Sequence, residues 1–187
     1  LKKLYDRKDL QSAVKKILTA FDKNPDREGL KETPMRYLKF LDEFCNPPEF
    51  KMTTFDSEGM NQMIIQENIP FYSLCEHHLA TISGYGYIAY IPNKKIVGLS
   101  KLARTLEYYS RGFQNQERIT QQTADYLQKV LKPKGVAVCL TAKHFCMEMR
   151  GVKKHDTWTT TTALKGCFLK DFQVKNEFLQ RINVKRN

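Results

Sequence analysis

Leu10, Val14, Ile17, Leu18 and Phe21 recur at the three- and four-residue spacing of a single helix face. The breaker cluster Asn24-Pro25-Asp26 closes that helix. Thr33-Pro34 predicts a second start, with Thr as the cap and Pro in the first turn. Tyr37, Leu38, Leu41 and Phe44 supply the inward stripe of this helix, and Pro47-Pro48 ends it. Residues 1–46 are therefore expected to form a small helical module, and 47–187 a separate domain.

Past Pro48 the period changes. Met63-Ile64-Ile65 and Ile69-Pro70-Phe71-Tyr72 read as short extended pieces, and Tyr85 to Ile91 as an aromatic, β-rich strand. Pro92-Asn93 marks a turn before Ile96-Val97. Ser100 predicts the cap of a helix reaching about Phe113, with Leu102, Leu106 and Tyr109 inward. A further helix runs from about Glu117 to Leu131 on the stripe Ile119, Tyr126, Leu127 and Val130, and Pro133-Lys134-Gly135 breaks it. Val136, Val138, Leu140, Ala142, His144 and Cys146 alternate and so share one face of a predicted strand. Thr157 to Thr162 is the next strand, and Asp171 caps a last helix with Phe178, Leu179 and Ile182 inward. This order of helices, strands, two helices, strands and helix is an α+β order.

The chain has 187 residues, 41% of them apolar and 27% charged, the balance of an ordinary globular protein. This excludes a disordered tail, a collagen and a membrane protein. Its longer apolar runs, such as Val136 to Leu140, fall far short of the ~20 residues a spanning helix needs. Leu1-Lys2-Lys3-Leu4-Tyr5 has no apolar core, so no secretory leader is expected, although a start at Leu leaves room for preceding sequence. A net charge of +11 favours an anionic partner, whether nucleic acid, phosphorylated metabolite or acidic surface, against the plainer reading of a solvated basic exterior. Five cysteines in a chain of cytosolic character point to metal binding or burial rather than to a set of bridges.

Four clusters carry chemistry. Cys75-Glu76-His77-His78 sets a thiolate and an imidazole three residues apart, within reach of one zinc ion. His144-Phe145-Cys146 offers a second such pair. Each motif alone also fits buried or surface residues with no ligand. Together they hold three of the four histidines. A Cys-His-Cys set leaves a fourth position open for water, and a histidine spare in each cluster to move protons. Arg36 with Lys39, and Lys101 with Arg104, share helix faces at i,i+3 spacing, and Arg150 adds a further cation. Lys101 and Arg104 also fall in a first helical turn, which favours phosphate. Glu117, in Gln116-Glu117-Arg118, could accept the paired N–H groups of guanine, or could be an ordinary first-turn acid.

The stretches Cys75 to Leu79, Gly98-Leu99-Ser100-Lys101-Leu102-Ala103-Arg104, Gln116-Glu117-Arg118-Ile119-Thr120 and His144 to Val152 resemble those of the GTP cyclohydrolase I family, zinc-dependent type. So do Asn24 to Leu30 and Glu32-Thr33-Pro34-Met35-Arg36. The resemblance runs from about Leu10 to Ile182 in family order. It implies a tunnelling fold: an antiparallel four-stranded sheet with two helices packed on it, preceded by N-terminal helices. It implies a cytoplasmic homodecamer of two stacked pentamers, with sites at subunit interfaces. The implied reaction converts GTP and water to 7,8-dihydroneopterin triphosphate and formate at the head of pterin and tetrahydrofolate synthesis.

Carried over, Cys75, His78 and Cys146 correspond to zinc ligands, and His77 and His144 to the acid/base pair, with Ser100 near the ribose. Glu117 corresponds to the guanine anchor with Gln116 beside it, and Lys101, Arg104 and Arg150 to triphosphate contacts. Arg36 and Lys39 correspond to contacts from a neighbouring subunit. The chain departs from the family at Ala80-Thr81-Ile82, at Gly84-Tyr85-Gly86-Tyr87 and at Thr159-Thr160-Thr161-Thr162, none of which removes a ligand. Cys45, Cys139 and Cys167 match no functional position. Two rivals are a purine-ring-opening relative that stops at a formamidopyrimidine triphosphate, and a zinc-stabilised basic module for nucleic acid. Dispersed cations and the absence of finger spacing speak against the second.

Overall fold

The structure, a computed structural model, describes residues 3–182 and divides into two compact units with the boundary between Pro47 and Pro48. Leu1 and Lys2, which open the stretch read for a leader, and residues 183–187 lie outside the described residues.

The first unit is helical. A 3-10 turn (Leu4–Asp6) leads into α1 (Lys8–Phe21), followed by α2 (Glu28–Lys31) and α3 (Thr33–Cys45). Pro34, Leu38 and Phe44 are buried on α3, which packs against α1 and the 3-10 turn. The Lys15 ammonium fixes the breaker cluster by donating to the Pro25 carbonyl at 2.7 Å and to Asp26 Oδ1 at 2.6 Å. Two expectations change here. Thr33 lies inside α3, and the cap position is Glu32 with no side-chain bond. The α1 stripe is not covered within the unit: Ile17 is 59% and Phe21 89% exposed. So few residues cannot enclose every apolar side chain they carry.

The second unit is a sheet with helices on both faces. β1 (Thr54–Asp56) and β4 (Lys95–Val97) form a two-stranded ribbon. The main sheet has five strands in the order β5-β2-β3-β6-β7, where the sequence led to four. β2 (Ile64–Cys75), β3 (Thr81–Ile91), β6 (Gly135–His144) and β7 (Thr159–Gly166) pair antiparallel, and the two-residue β5 (Phe113–Gln114) adds in parallel to the end of β2. The two extended pieces expected around residues 64 and 70 are one strand, bent by a bulge between Gln66 and Ile69. Asn68 takes a left-handed φ of 53° there, and its side-chain oxygen accepts from the Tyr87 hydroxyl at 3.1 Å.

α4 (Ser100–Ser110) and α5 (Gln116–Leu131) pack on one face, where Leu102, Leu106, Ile119 and Leu127 meet Ile82, Ile88, Val138 and Leu140. α4 ends before Phe113 because Gly112, at φ 87°, turns the chain into β5. Ser100 begins α4 but does not cap it; the cap position is Leu99. β6 stops at His144 and α6 (Phe145–Glu148) follows, so Cys146 is not on the strand. α7 (Cys167–Lys170) and α8 (Phe172–Arg181) cover part of the opposite face. There Phe168 and Phe178 pack edge-on to each other, ring centroids 5.8 Å apart, in one cluster with Tyr87, Ala137 and Cys139. Asp171 caps α8 as expected, accepting from the Gln173 and Val174 amides. Gly84 allows β3 and β6 to approach, since a Cβ would fall on the Thr141 carbonyl.

The second aromatic core implies a measurable dependence on α8. Phe178→Ala should cost about 3–5 kcal/mol in urea unfolding, the range for a fully buried Phe. A loss below about 1 kcal/mol would mean that α8 is not docked on the sheet.

Candidate metal and nucleotide site

The site is assembled where β2 and β6 end. β2 finishes at Cys75, and the turn to β3 folds back on it: the Cys75 amide donates to the Ala80 carbonyl at 2.8 Å, and the Leu79 amide to the Cys75 carbonyl at 2.8 Å. Leu79 holds a φ of 53°, a conformation few branched residues adopt, which lets so tight a turn close. The His77 and His78 rings emerge from this turn. Cys75 Sγ lies 3.7 Å from His77 Nδ1 and 3.9 Å from His78 Nδ1. α6 brings Cys146 to the same place. One donor atom each from Cys75, His78 and Cys146 lie within 4.8 Å of one another.

This donor set fits a thiophilic divalent cation. A tetrahedral ion with bonds of ~2.0–2.3 Å needs its ligands about 3.5 Å apart, a small contraction from what is seen. Two sulfurs with one imidazole, rather than oxygens, select against magnesium and calcium. Cys75 is buried and Cys146 half-buried. Burial, and then the adjacent Cys75 sulfur, push the Cys146 thiol above its ordinary range, so binding a cation here releases a proton.

The loop is braced from α5. Glu76 receives Arg118 through both nitrogens, Nη1 to Oε2 at 2.8 Å and Nη2 to Oε1 at 3.2 Å, and Asn115 Nδ2 donates to Oε1 at 2.9 Å. These bonds, Arg118 first, hold the Glu76 carboxyl below the usual carboxylate range. Asn115 also caps α5, accepting from the Arg118 amide at 2.8 Å. The Glu76 amide donates to the Gln114 carbonyl at 3.0 Å. Asn115, Arg118 and Glu76 were not among the residues singled out from the sequence. An Asn directly ahead of a predicted helix was a capping signal for the first of them.

His144, at the end of β6, is half-buried, and its Nε2 lies 2.8 Å from Gln116 Oε1. Burial lowers its pKa, and the nearby Glu117 works against that shift. Gln116, expected beside a bound base, is 0% exposed and fully engaged within the protein. Glu117 projects from the first turn of α5; it is exposed and makes no hydrogen bond among the described residues. His77 is well exposed beside Cys75. Arg150 Nη1 reaches His78 Nε2 at 2.9 Å, which sets one of the predicted cations against the donor set. Ser100, Lys101 and Arg104 lie on the first turn or so of α4, and neither cation is ion-paired among the described residues. Arg36 and Lys39 are exposed on α3 in the first unit. The structure thus gathers Cys75, His77, His78, Cys146 and Arg150 in one cluster and couples Gln116 to His144.

Fold and site together define an α+β protein with a Cys-His-Cys donor set beside an internally held histidine. The chain belongs to the GTP cyclohydrolase I family, whose model matches residues 10–183. It is 47% identical over 178 residues to GTP cyclohydrolase 1 of Aquifex aeolicus (strain VF5), covering 95% of this chain and 97% of the relative. It is 44% identical over 185 residues to the protein of the same name from Campylobacter concisus (strain 13826), covering 96% and 97%. A relative from Nostoc sp., named GTP cyclohydrolase 1 2, is 43% identical over 96% of this chain and 85% of its own length.

The donor set is testable with cobalt(II), whose thiolate charge-transfer absorption reports sulfur ligation. The wild-type chain should develop that absorption on titration, and Cys146→Ala should lose most of it while keeping its circular dichroism. An unchanged titration in the variant would remove Cys146 from the site.

Proposed function

We propose that this protein is the enzyme that converts GTP and water to 7,8-dihydroneopterin triphosphate and formate, the first committed hydrolysis of pterin and tetrahydrofolate synthesis. The observation that carries the reading is the Cys75, His78 and Cys146 donor set standing within one family-matched chain that also holds His144 on a buried amide. Zinc is the resident cation in this reading, held by the two sulfurs and by His78. When bound it supplies an electrophile that acidifies water at neutral pH.

The chain's own groups do the rest. The Glu117 carboxylate, without a hydrogen bond among the described residues, accepts the ring N–H and the exocyclic amine of guanine, a pair that adenine does not present. Lys101, Arg104 and Arg150 neutralise the triphosphate, and the first turn of α4 adds its partial positive charge. Arg36 and Lys39 complete this cradle from the helical module of a neighbouring subunit, in a homodecamer of two stacked pentamers. Ser100 faces the ribose. His77 and His144 move the protons. Water adds at C8 of the base, the five-membered ring opens to a formamide, and a second water releases formate. The ribose then rearranges to a ketone, which condenses with the freed amine and returns one water. The balance is one water consumed for one formate formed.

Residues 47–187 act as the catalytic domain, with the tunnelling fold that the family implies. The α+β sheet with α4 and α5 on one face supports it. No helix among the described residues is long and apolar enough to cross a membrane, which is compatible with a cytoplasmic enzyme.

A zinc-loaded incubation with GTP, followed by mass spectrometry and a formate assay, should yield both products. A formamidopyrimidine triphosphate as the end product would instead mark a ring-opening enzyme. Glu117→Ala should lower kcat/KM for GTP by ~10⁴ or more, as when a site loses its polar partner for a base. An unaltered kcat/KM would exclude Glu117 as the guanine anchor.

A further inference from the structure

Gln116 stands out among the buried polar groups. It begins α5, is 0% exposed, and uses its whole side-chain amide inside the protein. Its Nε2 lies 3.1 Å from the Leu140 carbonyl, 3.0 Å from the Thr159 carbonyl and 3.1 Å from Thr161 Oγ1. Backbone carbonyls only accept. The amide cannot be turned over, because that would set its oxygen against two others. Its Oε1 therefore faces His144 Nε2, at 2.8 Å. An amide oxygen only accepts as well, so the proton of that bond belongs to the imidazole.

The surrounding hydroxyls reinforce the same orientation. Thr120 Oγ1 donates to the Gln116 backbone carbonyl at 2.7 Å and lies 2.6 Å from Thr161 Oγ1. With its proton so committed, Thr120 accepts from Thr161, whose oxygen is left as a third acceptor sharing the two Gln116 N–H hydrogens with the Leu140 and Thr159 carbonyls. The ring of bonds begins and ends on one residue and has one consistent direction. It joins α5, β6 and β7, so every atom that fixes Gln116 belongs to a helix or a strand rather than to a loop.

We propose that Gln116 is a positioning residue that locks the His144 ring in one orientation and one tautomer, with hydrogen on Nε2 and Nδ1 left as the nitrogen that meets the nucleotide. The inference rests on the hydrolytic reading above and changes the part Gln116 plays in it. Its amide touches no base; it acts through the histidine. A neutral amide suits this task, because it selects a tautomer without pairing with the ring as a counter-ion would. The Thr159-Thr160-Thr161-Thr162 segment gains a purpose as well, since the first and third of these residues hold the amide.

The decisive measurement is the ¹⁵N spectrum of the zinc-loaded, histidine-labelled protein in the solid state, with the His144 signals identified by their loss in His144→Ala. A protonated Nε2 and an unprotonated Nδ1 are expected for neutral His144. The reverse pattern would overturn the proposal without any variant of Gln116 having to fold. Gln116→Met, close in shape but unable to accept, should then mix the two tautomers. It should lower kcat for formate release by ~10-fold to ~100-fold, part of the ~10² to 10⁴ that a placed acid or base supplies, and leave KM for GTP nearly unchanged. In a His144→Ala background the same change should cost nothing further. A raised KM with kcat intact, or an equal fall in both backgrounds, would assign Gln116 to direct contact or to folding and sink the idea. The spectrum needs no substrate. A wild-type chain that releases no formate would therefore defeat the functional reading, while the tautomer is still decided on its own.

Discussion

The site depends on two residues of parallel pairing. Leu74 and Cys75, at the end of β2, pair with Phe113 and Gln114 through the Leu74 amide on the Gly112 carbonyl and the Glu76 amide on the Gln114 carbonyl, and this short contact brings the start of α5 beside the Cys75–His78 turn. Without it α5 could lie on the sheet at many positions along its axis. With it, Asn115 and Arg118 reach Glu76, Gln116 enters the core below His144, and Glu117 is left facing outward. Parallel pairing of so few residues is weak in isolation. Here it is supported by an N-cap, a charge-assisted pair and the apolar packing of Ile119 and Leu127.

The donor set and the core hang on the same strands. The β3–β6 register pairs Ile82 with His144, so the strand that delivers the histidine is the one whose Val136, Val138 and Leu140 fill the sheet–helix core. A buried polar network is costly unless every member is satisfied. The Gln116, Thr120 and Thr161 network meets that condition, in contrast to Ser73, whose buried hydroxyl has no hydrogen-bond partner among the described residues.

The departures from the family pattern fall on both faces of the sheet: Tyr85 and Tyr87 lie opposite the site, whereas Ile82 sits in the core under α4 and α5, and Thr159 and Thr161 hold the Gln116 amide. Tyr87 packs with Cys139, Phe168 and Phe178 under α8, while Tyr85 is exposed on the same side of β3. Strand alternation explains this: Ile82, Ile88 and Tyr90 face α4 and α5, and their odd-numbered neighbours face away. Tyr87 therefore alters a second core, while Thr159 and Thr161 bear on the frame of His144, and none of the departures replaces Cys75, His78 or Cys146.

Much of this was legible in the chain itself. Periodicity gave the helices and the long β6 strand, because apolar side chains must reach a core at the spacing of the element that carries them. Spacing and residue type marked the Cys75 to His78 and His144 to Cys146 clusters as capable of holding a metal, since thiolate and imidazole chemistry is a property of the side chain, and the family resemblance picked out Cys75, His78 and Cys146, whose donor atoms the fold brings within 4.8 Å of one another. Other features exist only between segments distant in sequence. The sequence put Cys146 on a strand; the fold ends that strand at His144, and a helical turn delivers the sulfur. It could not show that Gln116 belongs to His144, 28 residues away, or that Arg118 belongs to Glu76, 42 residues away. Local pattern determines which residues are capable of chemistry. Only strand register and helix docking decide which of them share a proton, because a hydrogen bond is set by a separation near 3 Å and carries no trace in the spacing along the chain.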